Sequence, residues 1–480
     1  MSAVSKIYYG AVINPETLTS YQVLPRCLLA VAASGEIAWL VEDVEDSLVQ
    51  DTLAQKGCTD ADVEIFALKH GEFIMPGFVD THTHAPQVPN IGSGQQYELL
   101  DWLQNVTFPM EAKFSDLEFA RATYKSVVRR IIDYGTTTCC YYGTLHGEAT
   151  KVLANTVNEL GQRAFVGKCN MNRNSPDYYV EPSPEASIDA TLDLIKHIRS
   201  LAPSTSSPPL VQPILTPRFA ISCTDELMEK LQKVAAADPS LAIQTHISEN
   251  RSEIEFTLEL FPSSKSYAGV YDRYGLLRDN TILAHAVHLS DEEKELVKTR
   301  DSGISHCPTS NFNLSSGVAP VGDLLDRGIK VGLGTDVSGG FSPSILTAIQ
   351  HASIASKVIA LQSATPLQQG SKFAGQALPI ATLLYLATLG GAQVCCIEKQ
   401  IGSFAVGKTF DALVVNVRSD SNGPPGLWGT AQSMPVDDTS EGRRKELDGF
   451  LERFMFCGDD RNISRVYVQG RWIGGTSFRH

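Results

Sequence analysis

The sequence lacks what a nucleic-acid or membrane-surface protein needs: over 480 residues, 40 Lys plus Arg face 54 Asp plus Glu, a net charge of −14. Such a chain has no electrostatic attraction for phosphate backbones or anionic headgroups, so neither nucleic acid nor membrane is expected as a partner. It also lacks any C-x-x-C pair. Its ten cysteines, at 27, 58, 139, 140, 169, 223, 307, 395, 396 and 457, form no framework of the kind small secreted domains use. They read as buried thiols of a reducing compartment. The opening Met1 to Lys6 has no basic region followed by an apolar core, so no cleaved signal is expected and the cytoplasm is the expected location. One charge-free run, Phe373 to Ile397, is long enough to cross a bilayer, but Pro379, Gln376, Gln393 and Gly390-Gly391 interrupt it. It reads as two buried helical segments joined by a turn.

Hydrophobic residues at 43% and charged residues at 20% are ordinary for a globular protein and sufficient for a large core. Short β-type runs open the chain at Lys6–Ile13, Arg26–Ala32 and Glu36–Val41, with Asn14-Pro15 and Ser34-Gly35 as turns. Similar runs close it at Phe410–Val417 and Arg465–Ile473, so both ends are expected to share one small β-sandwich-like unit. Between Arg418 and Arg444, around 419–442, Ser, Asp, Gly and Pro predominate and an exposed loop is expected; Ala202–Pro209 reads as another connection.

The middle is regular. Apolar runs at Phe78–Asp80, Thr136–Tyr142, Ala164–Cys169, Val211–Thr216, Leu241–His246, Thr281–His285, Gly303–His306 and Val331–Thr335 predict eight strands. Helical periodicity fills intervals such as Leu117–Tyr134, Ala149–Leu160, Ile188–Ser200, Glu226–Ala237 and Asp291–Thr299. Eight alternations of strand and helix predict an α/β fold, a closed (β/α)₈ TIM-like barrel over about 76–400, with 1–75 and 401–480 supplying the small β unit.

In such a barrel, side chains at the carboxyl ends of the strands converge on one mouth, where catalysis is found. The first run ends Asp80-Thr81-His82-Thr83-His84, and alternation turns the two histidines to the same side. The fifth ends Thr245-His246-Ile247-Ser248-Glu249, the sixth Ala284-His285 and the eighth Thr335-Asp336. Imidazoles and a carboxylate from four strand ends suit a divalent ion, zinc before others because nitrogen ligands suit it and hydrolysis needs a redox-silent cation. An ion there lowers the pKa of bound water towards ~7; Asp336 is placed to accept the proton and Glu249 to carry it to a leaving group.

Pro76-Gly77-Phe78-Val79-Asp80-Thr81-His82-Thr83-His84, Thr245-His246-Ile247-Ser248-Glu249-Asn250, Ala284-His285, His306-Cys307-Pro308-Thr309-Ser310-Asn311 and Gly332-Leu333-Gly334-Thr335-Asp336 resemble the metal-dependent amidohydrolase superfamily. Further stretches, among them Gln87, Asp101-Trp102-Leu103, Thr107-Phe108-Pro109, Gly161 to Lys168, Thr216-Pro217-Arg218-Phe219 and Gly458 to Asn462, resemble its members that act on guanine. The resemblance implies hydrolysis of guanine to xanthine and ammonia in purine catabolism, with one zinc per chain held by His82, His84, His246 and Asp336. It implies that His285 orients the water and that Gln87, Arg218 and Phe219 hold the base, Arg218 at its carbonyl and Phe219 on the ring face, with His84, His246, Glu249 and Asp336 completing the substrate site. Glu249 would protonate a ring nitrogen, and a homodimer is implied as well. A related activity on another aminopurine, a pterin or a triazine would differ only in the pocket.

Other histidines read more plainly. His288 is expected to pack or hydrogen-bond, His306 either to hold Asp336 or its loop in place or to touch the site directly, and His70, His197, His351 and His480 to be surface or core residues. His146-Gly147-Glu148 imitates half of the cytidine-deaminase zinc signature, but no P-C-x-x-C follows, and no glycine pattern has nucleotide-binding spacing.

Overall fold

Five strands open the chain in the computed structural model, which describes residues 4–58, 63–201, 209–362, 371–418 and 439–479. They are β1 (Val4–Thr17), β2 (Ser20–Ala32), β3 (Ile37–Val41), β4 (Glu64–Ala67) and β5 (Glu72–Pro76). The middle supplies β6 (Phe78–His84), β7 (Thr136–Tyr142), β8 (Arg163–Gly167), β9 (Cys169–Asn170), β10 (Val211–Pro217), β11 (Ala242–Ile247), β12 (Thr281–His285), β13 (Gly303–His306) and β14 (Lys330–Leu333). The end adds β15 (Ala412–Asn416), β16 (Ile463–Val468) and β17 (Arg471–Gly474).

Both chain ends do share one sheet, eight strands in the order β17-β16-β15-β5-β1-β2-β3 with β4 against β1. Its centre is β5, which the sequence reading did not single out; it pairs parallel with β1 and antiparallel with β15 and so sews the two ends together. Alternate residues from these strands, among them Tyr8, Val12, Leu29, Ile74, Phe410, Val414 and Tyr467, form one buried cluster, with Tyr8 stacked on Phe410 at 4.8 Å. The turn expected at Asn14-Pro15 lies instead at Leu18-Thr19. Pro15 stays within β1 opposite Tyr21, next to a register shift between Pro15 and Thr17, an irregularity that accommodates the missing N–H.

All eight predicted barrel strands are present, parallel, in the order β14-β13-β12-β11-β10-β8-β7-β6. The ring nearly closes on itself: Asp336 N–H donates to His82 O at 2.8 Å and the Thr81 hydroxyl to Leu333 O at 2.9 Å. Helices Leu117–Asp133, Gly147–Leu160, Pro184–Ser200, Asp225–Ala237 and Asp291–Thr299 occupy the expected intervals. Side-chain oxygens of Asp116, Ser183, Thr224 and Ser290 cap four of them, and Gly161, at φ +81°, ends the other.

The run from Phe373 holds two buried helices, Ile380–Ala387 and Leu389–Val394, as expected, but they break at Thr388 and not at the glycine pair. Gly390 and Gly391 lie inside the second helix, where an added Cβ would come within 2.8 Å of Val331 O and of Val79 Cβ respectively, so they let this helix press against the barrel strands. No helix among the described residues is long and apolar enough to cross a membrane.

Of the stretch read as a loop, 419–438 lie outside the described residues, as do 202–208 and His480. Its last part is corrected: Ser440–Arg444 begin a helix, Ser440–Cys457, capped by Thr439 and anchored by buried Leu447, Phe450, Leu451, Phe454 and Met455. Polar first turns outside an apolar stripe had read as loop. The thiols also differ from expectation, since Cys396 and Cys457 are exposed while the other eight are buried.

Candidate metal and substrate site

The ends of β6, β11, β12 and β14 carry their histidines and aspartate to one point. The ligand-type atoms of His82, His246, His285 and Asp336 all lie within 4.8 Å of one another. His82 Nε2 is 3.0 Å from Asp336 Oδ1, and His84 Nε2 is 3.3 Å from the same oxygen and 3.2 Å from His246 Nε2. The expected ligand set is thus gathered, and His285, expected beside the water, stands equally close, 3.7 Å from Asp336 Oδ2 and 3.3 Å from Glu249 Oε2.

Two contacts fix ring orientation. His246 Nδ1–H donates to the Arg218 carbonyl at 2.6 Å and His285 Nδ1–H to Asn311 Oδ1 at 2.9 Å, which leaves both Nε2 lone pairs facing the centre. The Nε2 atoms of His82 and His84 crowd one oxygen of Asp336, and His285 Nε2 is buried on the same side with no hydrogen-bond partner. A buried polar atom without a partner is costly, and imidazole nitrogens converging on one carboxylate are what a metal ion satisfies, so the donor set fits one. The backbone is held in the left-handed region at Ser248 (φ +48°), His285 (φ +75°), Ala286 (φ +50°) and Asp336 (φ +44°), uncommon for residues with a side chain and concentrated at this mouth.

Burial sets the protonation states. It pushes His82 and His246 below the ordinary imidazole range and His84 to about 4, which favours neutral rings. Burial works against Asp336 as well, but the ring nitrogens of His82 and His84 outweigh it and hold the carboxyl well below the usual range. Glu249 goes the other way: burial, then the Asp336 charge, push it up to about 8, although Ser316 Oγ donates to its Oε1 at 2.9 Å. Burial thus favours the protonated form of Glu249 beside an ionised Asp336.

A cavity of about 380 Å³ opens over this point. Leu99, Trp102, Leu103, Phe219 and Leu314 give it apolar walls, while His84, His246, Glu249 and Asp336 form its reactive side. Gln87 and Arg218 make the polar wall. Both are tied to Glu111, a fully buried carboxylate that accepts from Arg218 Nη1 at 2.6 Å, Arg218 Nη2 at 3.1 Å, Gln87 Nε2 at 2.8 Å and Tyr179 Oη at 2.6 Å. The sequence reading missed Glu111, Tyr179 and Ser316. Only the neighbouring Thr107-Phe108-Pro109 motif pointed towards the first of them.

His288 Nε2 meets Ser316 O at 2.7 Å, His70 pairs with Glu446, His197 with Asn155 and His351 with Thr309. His306 is buried behind the site with neither ring nitrogen partnered among the described residues, and burial lowers it to about 3.

Comparison with known proteins agrees with this geometry. Residues 73–473 match the family model described as Amidohydrolase family. The chain is 45% identical over 98% of its length to 84% of a Schizosaccharomyces pombe protein named "probable guanine deaminase". It is 41% identical over 98% of each chain to a guanine deaminase of Dictyostelium discoideum. Among solved structures, a guanine deaminase from C. acetobutylicum with guanine bound in its active site superposes with a TM-score of 0.82 at 36% identity, covering 97% of this chain and 99% of that one. With the family match spanning most of its length, the chain belongs to the amidohydrolase family of enzymes.

Proposed function

We propose that this chain is a zinc-dependent aminohydrolase that converts guanine to xanthine and ammonia in purine catabolism. The observation that carries the reading is the gathering of His82, His84, His246, His285 and Asp336 at the base of a pocket, with the Glu249 carboxyl 3.3 Å from His285 Nε2. The names of the full-length relatives support the same substrate. A zinc ion held by His82, His84, His246 and Asp336 would supply Lewis-acid activation of the attacking water.

The residues of the chain do the rest. Phe219 and the leucines offer a flat apolar slot for a planar ring, and Arg218 and Gln87 offer N–H donors to its carbonyl edge. Glu249, protonated at neutral pH, donates to a ring nitrogen, which makes the adjacent carbon bearing the amine electrophilic. Asp336, ionised, takes the proton of the attacking water, and His285, its tautomer set by Asn311, orients that water. That proton then passes to the departing amine, which leaves as ammonia while the new C–O bond becomes the carbonyl, and the remaining hydroxyl proton returns to Glu249. The same reading expects a cytoplasmic homodimer, which sedimentation tests for its oligomeric part.

The deciding experiment is elemental analysis of the purified protein followed by assay with guanine, reading the absorbance change to xanthine. One zinc per chain with turnover supports the proposal. Metal with no turnover of guanine, but turnover of another aminopurine, a pterin or a triazine, transfers the chemistry to that substrate.

A further inference from the structure

We infer that Glu111, which never meets the reacting atoms, is the residue that makes the pocket choose a 6-oxo over a 6-amino purine. The inference rests on the guanine reading and deepens it. Glu111 is fully buried on the helical turn Phe108–Glu111 and accepts four hydrogen bonds, two on each oxygen. An ionised carboxylate has about four acceptor sites, so all are used. It is held ionised: burial opposes the charge, but the Arg218 guanidinium outweighs burial and keeps the carboxyl below its usual range.

Two consequences follow for the polar wall. First, Gln87 has one orientation only. Its Nε2 is taken by Glu111 at 2.8 Å and its Oε1 accepts the Ser338 N–H at 3.1 Å, so a flipped amide would set oxygen against carboxylate and N–H against N–H. Second, both terminal nitrogens of Arg218 are locked in a two-bond fork, and its charge is neutralised by the carboxylate that holds it. What Arg218 has left for a ligand is N–H alone, and Gln87, its amide fixed, keeps one N–H and only the second lone pair of an oxygen turned to the Ser338 N–H. A predominantly donating wall without net charge fits the O6 and N7 acceptors along one edge of guanine, whereas a 6-amino group would place donor against donor at Arg218. Were the amide of Gln87 free to turn, its oxygen would accept from a 6-amino group, and the choice would be lost.

The test compares guanine with 2,6-diaminopurine, which keeps the leaving 2-amino group and exchanges only the 6-oxo group. The wild-type enzyme is expected to prefer guanine by at least ~10² in kcat/KM, since a site built to pair polar atoms rejects the analogue that mismatches them. In Glu111→Gln, which has one acceptor oxygen in place of two, that ratio should fall by at least ~10-fold, mainly through KM for guanine, with bound metal unchanged. In Glu111→Asp, which keeps the charge but reaches less far, the ratio should fall by less. A folded, metal-loaded Glu111→Gln with the wild-type ratio overturns the inference. If that variant does not fold, Glu111→Asp decides by the same ratio, and failure of both to fold assigns Glu111 a structural role and also overturns it. Absence of guanine turnover in the wild type would instead strike the proposed function.

Discussion

His285 Nδ1 lies 2.9 Å from Asn311 Oδ1, and this contact decides which nitrogen of the ring faces the cluster. A side chain from the segment after β13 thereby sets the tautomer of a histidine at the end of β12. Because the outer partner of such a histidine governs its basicity and aim, Asn311→Leu is expected to lower kcat/KM by ~10–100-fold without loss of fold, and Asn311→Asp, which keeps an acceptor, to retain more. Steady-state kinetics alongside circular dichroism checks this; wild-type activity in Asn311→Leu would refute it.

Chelation should abolish activity and added zinc restore it, because the ring nitrogens of His82, His84, His246 and His285 converge on Asp336 as a donor set for one cation. Asp336→Asn should lose more than the ~10²–10⁴ typical of removing one general base, since it also removes a metal oxygen. Elemental analysis of the variant separates the two effects.

Glu249→Gln should lower kcat by ~10²–10⁴ while metal content stays at the wild-type level, because the residue donates a proton and its amide cannot. With the carboxyl raised to about 8, the active protonated form is present below that pH and lost as pH rises through it. The wild-type rate is therefore expected to decline on the alkaline side. A flat rate well above that pH would contradict the assignment.

Arg163 of β8 and Asp411 next to β15 form a buried ion pair, Nε to Oδ2 at 2.9 Å, that joins the barrel to the terminal sheet. Removing one partner strands a buried charge, so Asp411→Ala should cost about 3–5 kcal/mol in urea unfolding, and the double variant Arg163→Met/Asp411→Leu should recover part of it. Equal losses in single and double variants would show the pair is not the cause.

The barrel was legible because its signals are local. Each strand is a short apolar run ending in a chemistry-bearing residue, and alternation alone puts His82 and His84 on one side. In the terminal sheet the strands at both chain ends were legible and β4 and β5 were not; β5, five residues directly before the barrel, has nothing in its composition to show that it lies between β1 and β15.

By itself, then, the sequence determined the eight-strand alternation and the set of donors at the strand ends, since both depend on neighbours a few residues apart. Tertiary structure alone decided that His285 joins the other donors as closely as His84, that burial raises the Glu249 carboxyl, and that Arg218 is clamped by a carboxylate 107 residues earlier in the chain. Those outcomes come from burial and from contacts between distant loops. Desolvation energy and long-range pairing are properties of where a side chain ends up, and no local pattern encodes them.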